Sequence, residues 1–170
     1  MEVFWKNGFE ATSVRDLLEA TGLSRSSFYD AFGSKRDLLM AAVSHYCEIN
    51  REKMAGIAEA AGSPREAIHA MLMLNANCED ENGCLLANCI TELAPHDADV
   101  SAIAQDQSDW IESLLTTLII QKCGERANPA IRAKARALVS LAYGATLRRK
   151  SGMDKAEAGT LLKTGEALLD

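Results

Sequence analysis

Several features that mark membrane or secreted proteins are missing from this sequence of 170 residues. No window approaches the roughly 18 to 20 uninterrupted apolar residues that a membrane-spanning helix requires. The N-terminus has no basic segment followed by an apolar segment and a small-residue cleavage site, so it does not predict secretion. We therefore expect a cytoplasmic location.

The cysteines lack the pattern that disulfide scaffolds and zinc sites require. They are odd in number and have no C-x-x-C spacing: Cys47, Cys78, Cys84, Cys89 and Cys123. We expect reduced thiols that mostly fill apolar space, and no metal or other cofactor.

Positive charge is also scarce, because the chain has a formal net charge of −6 and a pI near 5.1. A nucleic-acid-binding domain usually has a strongly basic face. The first 48 residues hold five basic and seven acidic residues, which leaves a net charge of −2. Any affinity of this segment for DNA must therefore depend on where its basic side chains lie.

Helical signals recur along the chain, whereas no short segment alternates apolar and polar residues as a strand would. Ser34 with Asp37, and Ser63 with Glu66, have the spacing of helix-capping pairs. Periodicity predicts a helix of about seven turns from residue 34 and further helices over residues 64–78, 84–93 and 100–122. The predicted fold class is all-α.

The segment over residues 12–38, TSVRDLLEATGLSRSSFYDAFGSKRDL, predicts two short helices, a tight turn between them, and the start of a third helix. Gly22 lies where a helix-turn-helix reverses direction, and Ser24 can cap the second helix. An apolar seam would join the two helices through Val14, Leu17, Leu18, Leu23, Phe28 and Phe32.

Residues 3–45 resemble the DNA-binding signature of TetR-family transcriptional regulators. The resemblance lies in GFEATSVRDLLEATGLSRSSFYDAFGSKRDLL, which combines the family's G-F-x-x-T-S entry, A-x-G-L-S turn and F-Y-x-x-F-x-S-K-x-x-L exit. It implies an N-terminal three-helix DNA-binding domain at residues 1–45. A helical domain for effector binding and dimerisation would follow at residues 46–170.

The resemblance also implies roles for individual side chains. Thr12 and Ser13 would hold a phosphate, and Tyr29 and Lys35 would contact the DNA backbone. Base edges would be read by Arg25, Ser26 and Ser27 in the major groove. This sequence departs from the family pattern in two ways that would weaken DNA binding. Asp30 and Ala31 stand where the family often has histidine or another large polar residue before the second aromatic, and the chain begins inside the family's first helix.

The function implied is that of a ligand-responsive regulator, a repressor that binds a pseudo-palindromic operator as a homodimer and is released by a small molecule. The alternative keeps the fold but makes the protein a cysteine-based redox or electrophile sensor. An enzyme is not expected, because His45, His69 and His96 have no serine or cysteine at a nucleophile spacing.

The last two helices predict an association surface at residues 129–170. Small residues would permit close approach there, and Leu138, Leu141, Leu161 and Leu162 would add apolar contact. In this interpretation, the apolar stripes of these two helices would pack against the same stripes of a second chain and form a four-helix dimer interface. The alternative is that both stripes pack inside one chain.

An effector pocket is predicted from apolar residues interspersed with a few polar groups, as in ligand pockets generally. The candidate lining residues are Met71, Asn75, Cys78, Leu85, Asn88, Cys89, Trp110 and Leu114. An ordinary core would explain most of them equally well.

A thiol switch is disfavoured by helix geometry and by charge. Cys84 and Cys89 are about 7.5 Å apart along one helix and point about 140° apart, so they cannot form a disulfide while that helix is intact. Cys78 and Cys84 flank the acidic turn EDENG, which would raise a thiol pKa. The sequence therefore predicts a non-covalent effector.

Overall fold

The computed structural model describes residues 1–76 and 82–170, without the side chains of Asn75 and Ala76. All the regular secondary structure of these residues is helical. The described residues form nine α-helices and no strand, which confirms the all-α prediction. The helices are α1 Glu2–Asn7, α2 Val14–Thr21, α3 Arg25–Phe32, α4 Lys35–Ala60, α5 Pro64–Ala76, α6 Leu85–Glu92, α7 Ala98–Cys123, α8 Pro129–Lys150 and α9 Lys155–Gly165, followed by a 3-10 helix at Glu166–Leu169.

The predicted capping residues start their helices. The Asp37 amide donates to Ser34 Oγ at 3.0 Å, and the Glu66 amide donates to Ser63 Oγ at 3.2 Å. Asn128 accepts from the amide of Ile131 and precedes Pro129, which is suited to the first helical position. These hydrogen bonds satisfy amides that have no partner inside the helix.

The long helices extend close to their predicted bounds. Helix α4 has 26 residues, or about seven turns. Helix α7 begins two residues before its predicted start at residue 100 and ends one residue after its predicted end at residue 122. Helix α5 is described to Ala76, and its predicted end at Cys78 lies outside the described residues.

The first compact unit comprises Met1–Ile49 and Cys84–Ala104. Its core therefore joins the first helices to α6 and the start of α7, which is a longer segment than the predicted domain at residues 1–45. The core side chains are Phe4, Leu17, Phe28, Leu39, Val43, Cys47, Leu85, Leu86, Cys89 and Val100. The functional division of the chain at residue 45 stays a prediction.

The second compact unit comprises Asn50–Gly83 and Gln105–Asp170. Helices α5, α8 and α9 pack against one another around Ile68, Leu138 and Leu162. Leu138 and Leu162 are each 0% exposed, so the structure corrects the prediction that these leucines form a dimer interface. They fill the interior of the unit because α9 folds back along α8 and covers its apolar stripe.

None of the helices in the described ranges combines the length and the apolar character that crossing a membrane would need.

Candidate DNA-binding site

The reversal between α2 and α3 is made by Gly22. Its φ is +69°, a conformation that side chains with a Cβ disfavour, and its amide donates to the Leu18 carbonyl at 2.9 Å. The chain then enters α3 at Ser24, which accepts the Ser27 amide at 3.1 Å. Both features match the predicted helix-turn-helix.

Helix α3 is anchored on one side and open on the other. Phe28 is completely buried, and its ring lies 5.5 Å from the ring of Phe32. The opposite face is exposed and carries Arg25 and Tyr29, whose ring is 5.9 Å from the Arg25 guanidinium carbon. This arrangement holds a rigid row of donors and acceptors toward solvent, as a recognition helix requires.

Three serine hydroxyls meet at the start of α3. Ser24 Oγ lies 3.0 Å from Ser26 Oγ and 2.8 Å from Ser27 Oγ, and all three residues are exposed. A hydroxyl both donates and accepts, so each can exchange a neighbour for a base or phosphate. Ser13 is likewise exposed at the start of α2, where it forms a capping box with Asp16.

The structure corrects the predicted phosphate contact for Thr12. Thr12 is 1% exposed, and its hydroxyl donates to the Gly8 carbonyl at 2.6 Å. That hydrogen bond closes the turn between α1 and α2. A threonine in this position supports the turn from inside and cannot reach a phosphate.

Lys35, whose contact with the DNA backbone stays a prediction, also has partners inside its own unit. Its Nζ donates to the carbonyls of Phe9 and Thr12, each at 2.9 Å, and lies 4.2 Å from the centre of the Phe9 ring. The side chain therefore points back into its own unit. Ser13, Arg25, Ser26, Ser27, Tyr29 and Lys35 remain as the proposed DNA-contacting set.

Two further polar contacts were not predicted. Glu92, at the end of α6, accepts the amides of Phe9 and Glu10 at 2.9 and 2.8 Å. Arg36 donates to both carboxylate oxygens of Asp97 at 2.9 and 2.8 Å. No local sequence pattern could indicate these pairs, because their members lie 61 to 83 residues apart.

Comparison with known proteins places this arrangement in a family. The family model described as "Bacterial regulatory proteins, tetR family" matches residues 1–42. The uncharacterised HTH-type transcriptional regulator YezE of Bacillus subtilis is 36% identical over 116 residues, which are 66% of this chain and 60% of YezE. The chain belongs to the TetR family.

Two other matches extend the comparison. The HTH-type transcriptional repressor ComR of Escherichia coli is 29% identical over 127 residues, which are 72% of this chain and 60% of ComR. A cysteine mutant of the TetR-family regulator CifR, solved with a 26-base-pair operator, has a TM-score of 0.79 and 24% identity and covers 98% of this chain and 90% of its own. The matched region spans 60% of the length of both YezE and ComR.

The predicted effector residues of this TetR-family chain are divided between its two units. Leu85, Asn88 and Cys89 are buried in α6 of the first unit. In the second, Met71 is buried and Leu114 half-buried, both in the apolar core, while half-buried Trp110 stacks 5.6 Å from the Arg51 guanidinium carbon. The side chain of Asn75 and all of Cys78 lie outside the described residues.

The cysteines of α6 differ in their surroundings. Burial raises the pKa of the Cys89 thiol to about 12, with a further contribution from the charge of Glu92. Cys84 is half-buried and accepts hydrogen bonds from Tyr46 Oη at 3.3 Å and from the Ala87 amide at 3.5 Å. Donors of this kind stabilise a thiolate, whereas burial in apolar surroundings opposes it.

Proposed function

We propose that this TetR-family regulator binds a pseudo-palindromic DNA operator as a homodimer and represses transcription until a small-molecule effector releases it. The observation that carries the proposal is helix α3, which rests on fully buried Phe28 and exposes Arg25, Ser26, Ser27 and Tyr29. Its pattern of hydroxyl, phenol and guanidinium groups suits the major groove.

Two relatives support the proposal. CifR has been solved on a 26-base-pair operator, and ComR is named a repressor. A single α3 reads only one half-site, so an operator with two half-sites about 34 Å apart requires two copies of the chain. Since Leu138 and Leu162 are internal, the proposed contact between copies uses the outer face of α8, where Ala133, Ala137 and Ser140 are exposed.

Selection from a random duplex library tests this function directly. The wild-type chain should enrich sequences with inverted half-sites, and sedimentation should show two chains on each selected duplex. The Ser26→Ala and Ser27→Ala variants should change the enriched half-site, whereas Ser151→Ala, outside the proposed site, should not. Failure of the wild type to enrich any sequence would contradict the proposal.

The effector proposed for release is a small molecule bound without covalent chemistry. The residues predicted to contact it are tested within each unit separately: Leu85, Asn88 and Cys89 in the first, and Met71, Trp110 and Leu114 in the second. Trp110 offers a fluorescence signal for screening compounds, with Trp5→Phe as the background that removes the other tryptophan. A compound that both changes the Trp110 fluorescence and releases the selected duplex would be an effector of the proposed kind.

The contacts of Cys84 favour a second candidate function, in which an electrophile or oxidant reacts with this thiol. CifR was likewise studied as cysteine mutants. The Cys84→Ser and Cys89→Ser variants separate the two functions. If the effector is non-covalent, both variants keep effector-dependent release of DNA, whereas a thiol sensor loses release in Cys84→Ser and keeps it in Cys89→Ser.

A further inference from the structure

The outward face of helix α3 is centred on an acidic residue. Phe28 is completely buried and Phe32 is half-buried, so the side of the helix between them faces the interior of the first unit. Successive residues of an α-helix are turned by about 100°, which places Asp30 about 180° from the middle of that buried side. Ser26, one turn earlier, lies about 40° from Asp30. Both residues are exposed, and they occupy the centre of the face that α3 presents to solvent.

The Asp30 carboxylate forms no hydrogen bond or ion pair with another residue that the structure describes. The other three acidic side chains of residues 13–38 each bind a neighbour in the chain: Asp16 with Ser13, Glu19 with Arg15, and Asp37 with Ser34. In this stretch, all of which is described, the carboxylate of Asp30 is therefore the one left for a partner outside the chain.

The major groove offers such a carboxylate one well-matched base. An ionised carboxylate accepts hydrogen bonds and donates none. Guanine presents the acceptors O6 and N7 and thymine the acceptor O4, while adenine places the acceptor N7 beside its amino group. Cytosine presents its N4 amino group with no acceptor beside it on the same base. A carboxylate at the centre of a reading face therefore favours cytosine.

We propose that Asp30 is a specificity-determining residue, which accepts a hydrogen bond from the N4 amino group of one cytosine in each half-site. The proposal rests on the proposed DNA binding and deepens it by naming a base. A different base would leave the carboxylate desolvated against an acceptor, which costs more than the loss of one hydrogen bond. The negative charge that weakens attraction to DNA in general thereby rejects wrong sequences.

Simple repulsion between Asp30 and the phosphates would have a different signature. Every duplex has the same phosphate backbone, so repulsion alone lowers the affinity for all sequences by the same factor. A hydrogen bond to a base instead changes the relative affinity for different sequences. The two roles are therefore separated by the sequences that the protein selects.

Selection from a random duplex library with Asp30→Asn and Asp30→Ala tests the base contact. The wild-type chain should enrich cytosine at one position of each half-site. Asp30→Asn should enrich adenine there, because an amide both donates and accepts and so matches adenine N6 and N7. Asp30→Ala should lose the preference at that position and keep the others. Glu19→Gln removes the same charge from the exposed surface of α2 and should leave the selected sequence unchanged.

A base analogue tests the hydrogen bond on the unaltered chain. In the selected duplex, 2-pyrimidinone replaces the cytosine in both half-sites and removes only its amino group. The wild-type chain should lose about tenfold or more in affinity for each half-site. Asp30→Ala should bind the two duplexes with similar affinity. Any weakening of the duplex itself is common to both proteins and cancels in this comparison.

The outcomes separate the base contact from the proposed function. The same selected sequence for the wild type and Asp30→Ala, with tighter binding of the variant to every duplex, would reduce Asp30 to a repelling charge and overturn the proposal. Undiminished wild-type affinity for the 2-pyrimidinone duplex would also overturn it, whether or not the variants fold. Failure of the wild-type chain to enrich any duplex would instead overturn DNA binding itself.

Discussion

Each of the two compact units has an apolar core, and the two differ in what surrounds the elements of interest. In the first, charged side chains bind backbone groups and one another next to the helix-turn-helix: Glu92 and Lys35 hold the turn before α2, and Arg36 binds Asp97. In the second, α5, α8 and α9 meet through leucines, alanines and a glycine that are fully buried. We therefore expect the polar contacts to orient the proposed DNA-reading helices, and close apolar packing to stabilise the second unit.

The strongest test of this contrast is Leu138→Arg. A guanidinium would be buried without a partner in the core of the second unit, which should cost about 4 kcal/mol or more in the free energy of unfolding. Circular dichroism during thermal unfolding should show the loss. The matched variant Ala137→Arg changes an exposed neighbour and should keep the fold while dissociating the proposed dimer; equal stability of the two variants would contradict the assigned packing.

A smaller loss is expected for Gly165→Ala. A Cβ at this position would collide with Leu141 Cδ2, so the Leu141 side chain would have to move and repack between α8 and α9, at about 1–3 kcal/mol. Gly159→Ala, in the same helix, has open space around its Cβ and should stabilise α9 by a few tenths to about 1 kcal/mol. Urea titration would reveal these opposite signs. Similar effects of both substitutions would show that close approach of the helices is unimportant.

The first unit should respond more mildly to Ser24→Ala. The variant leaves the Ser27 amide without its side-chain acceptor and should cost about 1 kcal/mol. Hydrogen exchange of the α3 amides should accelerate. Ser26→Ala is the control, because Ser26 lies in the same turn but caps no amide there; a comparable acceleration in this control would argue against a specific role for the cap.

The smallest expected effect is the pH dependence of the Arg36–Asp97 pair. The hydrogen bond from Arg36, with help from the Val100 amide, keeps the pKa of Asp97 below its value in the unfolded chain, near 3.9. The pair therefore stabilises the fold above that value and loses this contribution as the pH falls below about 4. Melting temperatures between pH 6 and pH 3 should decrease less for Asp97→Asn than for the wild type, and exposed Asp99 provides the Asp99→Asn comparison.

The structure confirms the sequence predictions that depend on neighbouring residues. Ser24, Asn128 and Asp154 cap the helices that they precede, and Gly22 adopts the positive φ that its turn requires. The family signature is of the same kind, since its motifs lie within a single stretch of about 30 residues. These features could be predicted because each cap or turn joins atoms that are three or four residues apart in the chain.

The wrong prediction for Leu138 concerns a side chain whose partners are distant in sequence. Leu138 was given a place at a dimer interface from its type and spacing alone. An apolar stripe is equally suited to another chain or to its own. Periodicity identifies the apolar face of a helix but does not say what covers it.

The sequence by itself determined the all-α class, the helix starts and the helix-turn-helix, because backbone amides near a cap and glycine in a turn respond to local chemistry. Only the tertiary structure decided that Lys35 donates to Phe9 and Thr12, 26 and 23 residues away, and that Glu92 closes the same turn from 83 residues away. Such contacts form when folding brings distant segments together. Their energy depends on a geometry that no single stretch of sequence contains.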